Sequence, residues 1–432
     1  MAPMSTPGLT TGAPRRIGFI GTRFLGTDGV TLEAKKWAHI LREQGHQCYW
    51  MAGLVDTPPE STYETPLAYF RHPDVDILQQ KLFGVTRRSR TITKEIQSMK
   101  DQLKEAIYRF IEKYQIEVLI PQNILAIPVH VPLGLAMTEV IAETGLPTIA
   151  HHHDFSWERE RFTLNGVHDY LSAAFPPSLP TIEHVVINSM AQKELARRFG
   201  LSSVLIPNVI DFENPPLPVD DFAADVRREI GLDEKDIFIL QPTRVIARKG
   251  IEHAIELVRR LGDPRAKLVI SHHAGDEGDD YMKLLRERIV DGKVDVRFVA
   301  ERVGDRRGKT VDGRKIYTLF DLYPHADLIT YPSHYEGFGN AFIEAIYFRK
   351  PVVVNAYAVF ARDIDPLGFK TIEIPQLVSN AAVEQTREIL RNKTLREEWA
   401  DTNYKLGLKY FSYAVARRKL AARMANLFGE EA

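Results

Sequence analysis

The sequence is poor in several features that would declare a function outright, and each shortage removes a class. It holds one cysteine, Cys48, in 432 residues, which excludes an internal disulfide framework and any metal site built from several thiolates. Cys48 lies in the apolar run Cys48-Tyr49-Trp50-Met51 and is expected to be a buried core thiol, in keeping with a reducing, cytoplasmic setting. Net charge is missing too. Lys and Arg number 56 against 57 Asp and Glu, a formal charge of -1, so no overall field favours nucleic acid or an acidic membrane and anion recognition has to be local. A clean apolar span is also absent: the stretch from Val118 to Met137 is broken by Pro121, Pro128 and Pro132 and carries Gln122, Asn123 and His130. It predicts a buried strand, a Pro-broken loop and a helix rather than a lipid helix. Residues 1–14, rich in Pro, Thr and Gly, lack the apolar core of a signal peptide and predict a disordered lead-in. Finally, the spacing of Gly18, Gly21 and Gly26 misses the Gly-x-Gly-x-x-Gly fingerprint, which argues against a nicotinamide dehydrogenase.

What is present is alternation. The length suits two α/β domains rather than one core. Strand-like runs fall at Ile17–Ile20, Gln47–Ala52, Val118–Ile120, Thr148–Ala150, His184–Asn188 and Val204–Ile206, with helical patterns between them. One helix is predicted over Thr31–Gln44 and a charged, amphipathic helical region over Asp76–Tyr114. Pro207, Pro215, Pro216 and Pro218 then mark a linker. Beyond it a second series begins at Ile237–Gln241, Lys267–Ser271, Asp295–Val299, Leu328–Tyr331 and Pro351–Asn355, and Thr386–Phe428 reads as nearly continuous helix. The expected division is a domain over 15–212 and a second over 213–432.

Three segments carry chemistry. The first, Tyr331-Pro332-Ser333-His334-Tyr335-Glu336-Gly337-Phe338-Gly339-Asn340-Ala341-Phe342-Ile343-Glu344-Ala345, follows a strand and opens a helix. Its glycines let backbone amides approach a ligand, and the helix start favours an anion. Glu336 and Glu344 repel phosphate, so they suit sugar hydroxyls. The second, Gln241-Pro242-Thr243-Arg244-Val245-Ile246-Ala247-Arg248-Lys249-Gly250, also runs from strand to helix. Arg244 and Lys249 are suited to a diphosphate that gains charge as it departs, and Arg248 is able to replace either. The third holds His151, His152, His153 and Asp154 at a strand end, followed by Arg159 and Arg161. Consecutive strand residues face opposite ways, so the three histidines do not converge on one ion and no metal site is expected. Arg23, Arg159 and Arg161 fall on loops at the carboxyl ends of strands, which suggests an acceptor bearing a carboxylate or phosphate; the alternative is salt bridging of the arginines to Glu158 and Glu160.

Taken in order, these segments resemble the retaining glycosyltransferases of family 4. The resemblance rests on Glu336-x7-Glu344 around Gly337-Phe338-Gly339, on Arg244 with Lys249-Gly250, on His153-Asp154, on the glycine-rich turn Gly21–Gly29, and on Pro207-Asn208-Val209-Ile210-Asp211. It implies a GT-B-like α/β fold, two doubly wound Rossmann-like domains facing a cleft, with the last helix crossing back to the first domain. It also implies a nucleoside-diphosphate-sugar donor and a retaining hexosyl transfer without a required cofactor or metal. By the match, Glu336 approaches the donor sugar and Glu344 the ribose, while Gly337, Phe338, Gly339 and Asn340 offer backbone amides. Arg244 and Lys249 take the diphosphate, and Gly26 lies near donor phosphates or acceptor. His153 is the active-site histidine, with His152 in its place if the match slips by one. Catalysis is thus assigned to His153, Glu336, Arg244 and Lys249, and the acceptor to Arg23, Asp154, Arg159 and Arg161. Asn340, Thr243 and Val209 depart from the family pattern. A front-face substitution fits, since no second carboxylate suits a covalent nucleophile. A nucleotide-sugar 2-epimerase and a non-catalytic nucleotide-sugar-binding protein are the rival readings. A small soluble acceptor is favoured over a lipid-linked one, because no membrane-binding amphipathic helix stands out.

Overall fold

The computed structural model describes residues 13–26, 28–273 and 279–429. Nearly all of the expected lead-in, and Thr27 of the glycine-rich turn, lie outside the described residues. The chain divides into two compact units, Met1–Asn208 with Ala414–Ala432, and Val209–Tyr413.

In the first unit seven strands form one parallel sheet: β1 (Arg16–Ile20), β2 (Gln47–Ala52), β3 (Thr62–Glu64), β4 (Val118–Pro121), β5 (Thr148–His152), β6 (Ile182–Val186) and β7 (Ser203–Leu205). Their order is β3-β2-β1-β4-β5-β6-β7. β1, β4 and β5 are buried almost end to end, as expected where helices cover both faces of a parallel sheet. The order reverses between β1 and β4, which makes the loops after those two strands the switch point of the unit. The predicted helical region is two helices, Pro73–Leu82 and Arg90–Tyr114, the second capped by the Ser89 hydroxyl accepting from the Ile92 amide. Its apolar stripe, Leu103, Ile107 and Phe110, shares a core with Leu133, Met137 and Val140 of the helix Val131–Thr144. The Val118–Met137 stretch is therefore strand, loop and helix, and no helix among the described residues is long and apolar enough to cross a membrane. The strand predicted at His184–Asn188 sits two residues earlier. Asn188 is instead an N-cap, its Oδ1 accepting from the Ala191 amide at 2.7 Å.

The second unit has a six-stranded parallel sheet made of β8 (Ile237–Gln241), β9 (Ala266–Ile270), β10 (Val296–Phe298), β13 (Leu328–Tyr331), β14 (Val352–Val354) and β15 (Ile372–Glu373), in the order β10-β9-β8-β13-β14-β15. A small antiparallel pair, β11 (Gly308–Lys309) and β12 (Lys315–Ile316), stands apart. The switch point here lies between β8 and β13, so the loops that follow them, 242–250 and 332–339, are the ones a ligand is expected to meet. The C-terminal helical stretch is three helices, Asn380–Arg391, Lys393–Phe411 and Tyr413–Phe428. The first break falls at Asn392, whose side chain caps the second helix through the Leu395 amide. From Ala414 onward the last helix belongs to the first unit, where the Lys419 ammonium donates to the Leu205 carbonyl at 2.5 Å.

Candidate active site

At the switch point of the second unit, two strand-to-helix turns meet. The 242–250 loop ends in a short turn, Ala247–Lys249, and Gly250 at φ +60° starts the helix Ile251–Leu261. A Cβ at Gly250 would stand 2.3 Å from the Pro332 carbonyl, so only glycine lets the two loops lie this close. The His334 amide donates to the Arg248 carbonyl at 2.8 Å and fixes the pair.

This packing brings Lys249 and Glu336 together. The Lys249 ammonium donates to Glu336 Oε1, and Arg248 Nη1 donates to Oε2 at 3.2 Å. Both members of the Lys249–Glu336 pair are about nine-tenths buried. Burial on its own would raise the Glu336 pKa, but Lys249 and Arg248 outweigh it and hold the carboxyl below its ordinary value. Burial also pulls the Lys249 pKa down against the attraction of Glu336. With two cations on one carboxylate the salt-bridged state prevails at neutral pH. The Lys249 ammonium also lies 5.4 Å from the centre of the Tyr331 ring. Arg244 is exposed on the same loop, and its charge, with that of Lys249, helps burial hold His272 near pKa 4 and neutral.

The glycine-rich turn is built around Gly339, at φ +123°, which precedes the helix Asn340–Tyr347. The Tyr357 hydroxyl donates to the Phe338 carbonyl at 2.7 Å and stands 2.2 Å from where a Gly339 Cβ would lie. Phe338 itself is buried, its ring edge-on to Phe411, so its side chain is a packing group and only its backbone faces a ligand's needs. Gly337 and Asn340 are half-buried. Glu344 lies one turn into the helix, where its Oε2 accepts from the Tyr323 hydroxyl at 2.8 Å.

In the first unit the histidine run separates as the pleat demands. His151 stacks on Trp37 at 3.9 Å, with Nδ1 3.0 Å from Gln122 Oε1. His152 Nε2 lies 2.9 Å from His184 Nδ1. His153 ends the strand; its amide donates to Asn123 Oδ1, while its buried Nε2 has no hydrogen-bond partner. Desolvation lowers its pKa to about 4 against the nearby Asp154 and Asp28, so the ring is neutral at pH 7. Asn123, at φ +61° on the loop after β4, also donates from Nδ2 to Asp154 Oδ1 at 2.7 Å. Sequence reasoning missed it; the signal was an Asn in the turn that follows a strand.

The three arginines have acidic or aromatic side chains beside them. Arg159 donates to Asp154 Oδ2 through Nε and Nη2, at 2.9 and 2.6 Å. Glu158 accepts from the Phe155 amide. Arg23 pairs with Asp28, the N-cap of the helix Gly29–Glu43, at 2.9 Å, and Gly26 between them has φ +86°. Arg161 lies 4.7 Å over the Phe162 ring. Val209, the departure from the family's glycine, has no positive φ and is fully buried.

Two parallel-sheet units with turns of this kind at their switch points define the GT-B glycosyltransferase fold. A family model for glycosyl transferases group 1 matches residues 311–406. The mannosylglucosylglycerate synthase of Petrotoga mobilis is 33% identical over 380 residues, 83% of this chain and 86% of its own. The enzyme of the same name from Thermotoga maritima is 31% identical over 417 residues, 89% of this chain and 94% of its own. The chain belongs to the group 1 glycosyl transferases and is an enzyme of that class. Anabaena HepE, solved with UDP and glucose, shares the fold with a TM-score of 0.63 at 13% identity, over 95% of this chain and 99% of that one.

Proposed function

We propose that the protein transfers a hexosyl unit from a nucleoside-diphosphate sugar to a hydroxyl of a small, anionic acceptor with retention at the anomeric carbon. The observation that carries the reading is the buried Lys249–Glu336 pair, with Arg248 on its second oxygen, at the switch point of the second unit. A buried carboxylate with two cations is suited to a ligand that brings hydroxyls and a diphosphate together. In this reading Lys249 and Arg244 take the diphosphate, whose growing charge is also met by the amides of the Gly337–Asn340 turn. Glu336 accepts from sugar hydroxyls and Glu344 from the ribose. The departing phosphate takes the acceptor's proton, and His153, neutral, positions the sugar. No metal ion is assigned to the transfer step.

The relatives' name narrows the substrates. A mannosylglucosylglycerate synthase has a product with a mannosyl unit, a glucosyl unit and a glycerate, so we infer a mannosyl donor and an acceptor in which glucose is joined to glycerate. The glycerate carboxylate gives Arg23, Arg159 and Arg161 an anion to meet. The test is nucleoside-diphosphate release from GDP-, UDP- and ADP-mannose and -glucose, with and without glucosylglycerate, followed by NMR of the product's anomeric proton. One donor is expected to be consumed only with acceptor, giving an α-linked product from an α-linked donor. Conversion of the free nucleotide sugar alone points to an epimerase, and an inverted linkage overturns the front-face mechanism.

A further inference from the structure

Behind the Lys249–Glu336 pair lies a second group of side chains that the transfer step does not use. Glu252 and His253 open the helix Ile251–Leu261, and His334 sits on the loop after β13. One ligand atom from each, the three atoms all within 4.8 Å of one another, meets around a common point. Glu252 Oε1 is 3.4 Å from His334 Nε2 and 4.0 Å from His253 Nε2. Around a tetrahedral ion with bonds near 2.0–2.1 Å, ligand atoms stand about 3.3 Å apart, so the first distance already fits and the second has to close by about 0.7 Å.

The surroundings are those of a supported ligand set. The Tyr281 hydroxyl donates to Glu252 Oε2 and accepts from the Ile251 amide at 2.8 Å, which leaves Oε1 turned to the histidines. Asn355 Nδ2 lies 3.4 Å from His334 Nδ1 while its Oδ1 accepts from the Gln376 amide at 3.4 Å; ion binding would turn this amide over, giving up the Gln376 bond so that the oxygen accepts the Nδ1 proton and frees the Nε2 lone pair. Gly250 passes between, since a Cβ there would sit 3.3 Å from both His253 Cδ2 and His334 Nε2. His334 is exposed and leaves the fourth position open to water.

We propose that Glu252, His253 and His334 bind a divalent transition-metal ion of the zinc type and so tie the start of the Ile251–Leu261 helix to the 332–336 loop. The ion is a brace: one side continues through Gly250 to Lys249, the other through the chain to Glu336.

The experiment uses the full chain without a histidine tag, stripped with chelator and titrated with Co2+ and then Zn2+. The expected result is one visible Co2+ absorption band that saturates at one ion per chain, is displaced by Zn2+, and accompanies a Zn2+-dependent rise in Tm. E252Q, which keeps the bond from Tyr281, and H334A, at an exposed position, should each weaken Co2+ binding at least tenfold. H39A, which removes an exposed histidine beside Glu43, should leave it unchanged. Absence of the band in the wild-type protein, or its survival in an H253A/H334A double variant that keeps the wild-type circular dichroism, overturns the site.

Discussion

Replacing Glu336 by Gln is the sharpest probe of the second unit, because it removes one charge while keeping the side chain's shape. In the structure Glu336 accepts from Lys249 and Arg248, and Lys249 is largely buried. Leaving a buried ammonium without its carboxylate costs about 3–5 kcal/mol. The lysine has an escape, since it can lose its proton. At pH 7 that costs about 5 kcal/mol for an ordinary lysine, and burial has already lowered its pKa. Arg248 is about a third exposed and contributes little to the sum. The lower end therefore governs, and a loss of about 3 kcal/mol is expected. With a urea m-value of about 2–3 kcal/mol per M, the unfolding midpoint of the second unit falls by roughly 1 M. Hydrogen exchange in peptides from Val209–Tyr413, followed across a urea series, reads this unit alone.

The pH dependence supplies the sign. Glu336 has its folded-state pKa below the ordinary 4.5, so the unfolded state binds protons first and the stabilisation is present above about pH 4.5. It is lost as pH falls through the folded value. The gap between wild type and E336Q should hold from pH 7 to 5 and close below that. A nucleoside diphosphate returns negative charge to Lys249, so it should recover more stability in the variant than in the wild type. A midpoint shift under about 0.3 M at pH 7 refutes the reasoning.

Gly339→Ala combines a φ of +123° with a Cβ 2.2 Å from the Tyr357 hydroxyl; a cost of about 3 kcal/mol and loss of donor binding are expected, read by urea unfolding and calorimetry. The first unit buries His130, His151, His152, His153 and His184, all with pKa values lowered mainly by desolvation. Unfolding lets each take a proton near pH 6.5, so stability should fall by about 1.4 kcal/mol per pH unit per histidine as pH drops from 6.5 toward 4, and be flat above; acid titration of Tm checks it. Asp154→Asn removes the charge that takes two N–H donors of Arg159 on one oxygen, and we expect the KM for an anionic acceptor to rise about tenfold with donor binding unchanged. The Cys48 thiol, buried and pushed up to about 12, should react with a thiol reagent only after unfolding.

Much of the fold was legible because parallel strands write themselves as short apolar runs. The strands Gln47–Ala52, Ile237–Gln241 and Leu328–Tyr331 have the bounds their sequence predicts. Where the reading slipped, a polar residue had a second use: Asn188 caps a helix instead of extending β6. The edge strands β3 and β15 left no pattern, being two or three residues long and half-covered. At the candidate site the residue types were legible, but their partners were not. Arg159 was read beside two glutamates adjacent in sequence, and its bond to Asp154, five residues away, went unread because it depends on how the short turn between them brings it back toward the strand end.

The sequence by itself determined the class: alternating apolar runs and helices dictate two wound parallel sheets, and glycine-rich strand–helix turns carry Lys249, Glu336 and Glu344, the residue types on which the proposed anion-and-sugar chemistry rests. These are local properties, written in period and spacing. Tertiary structure decided which groups meet. Lys249 and Glu336 lie 87 residues apart and become a buried pair only because β8 and β13 are neighbours in the sheet. The same adjacency sets His334 beside Glu252, 82 residues away. Among three consecutive histidines, it set His151 on Trp37 and His152 on His184 and placed His153 at the strand end, its amide on Asn123. Strand order is a property of the whole chain's packing, and no local pattern carries it.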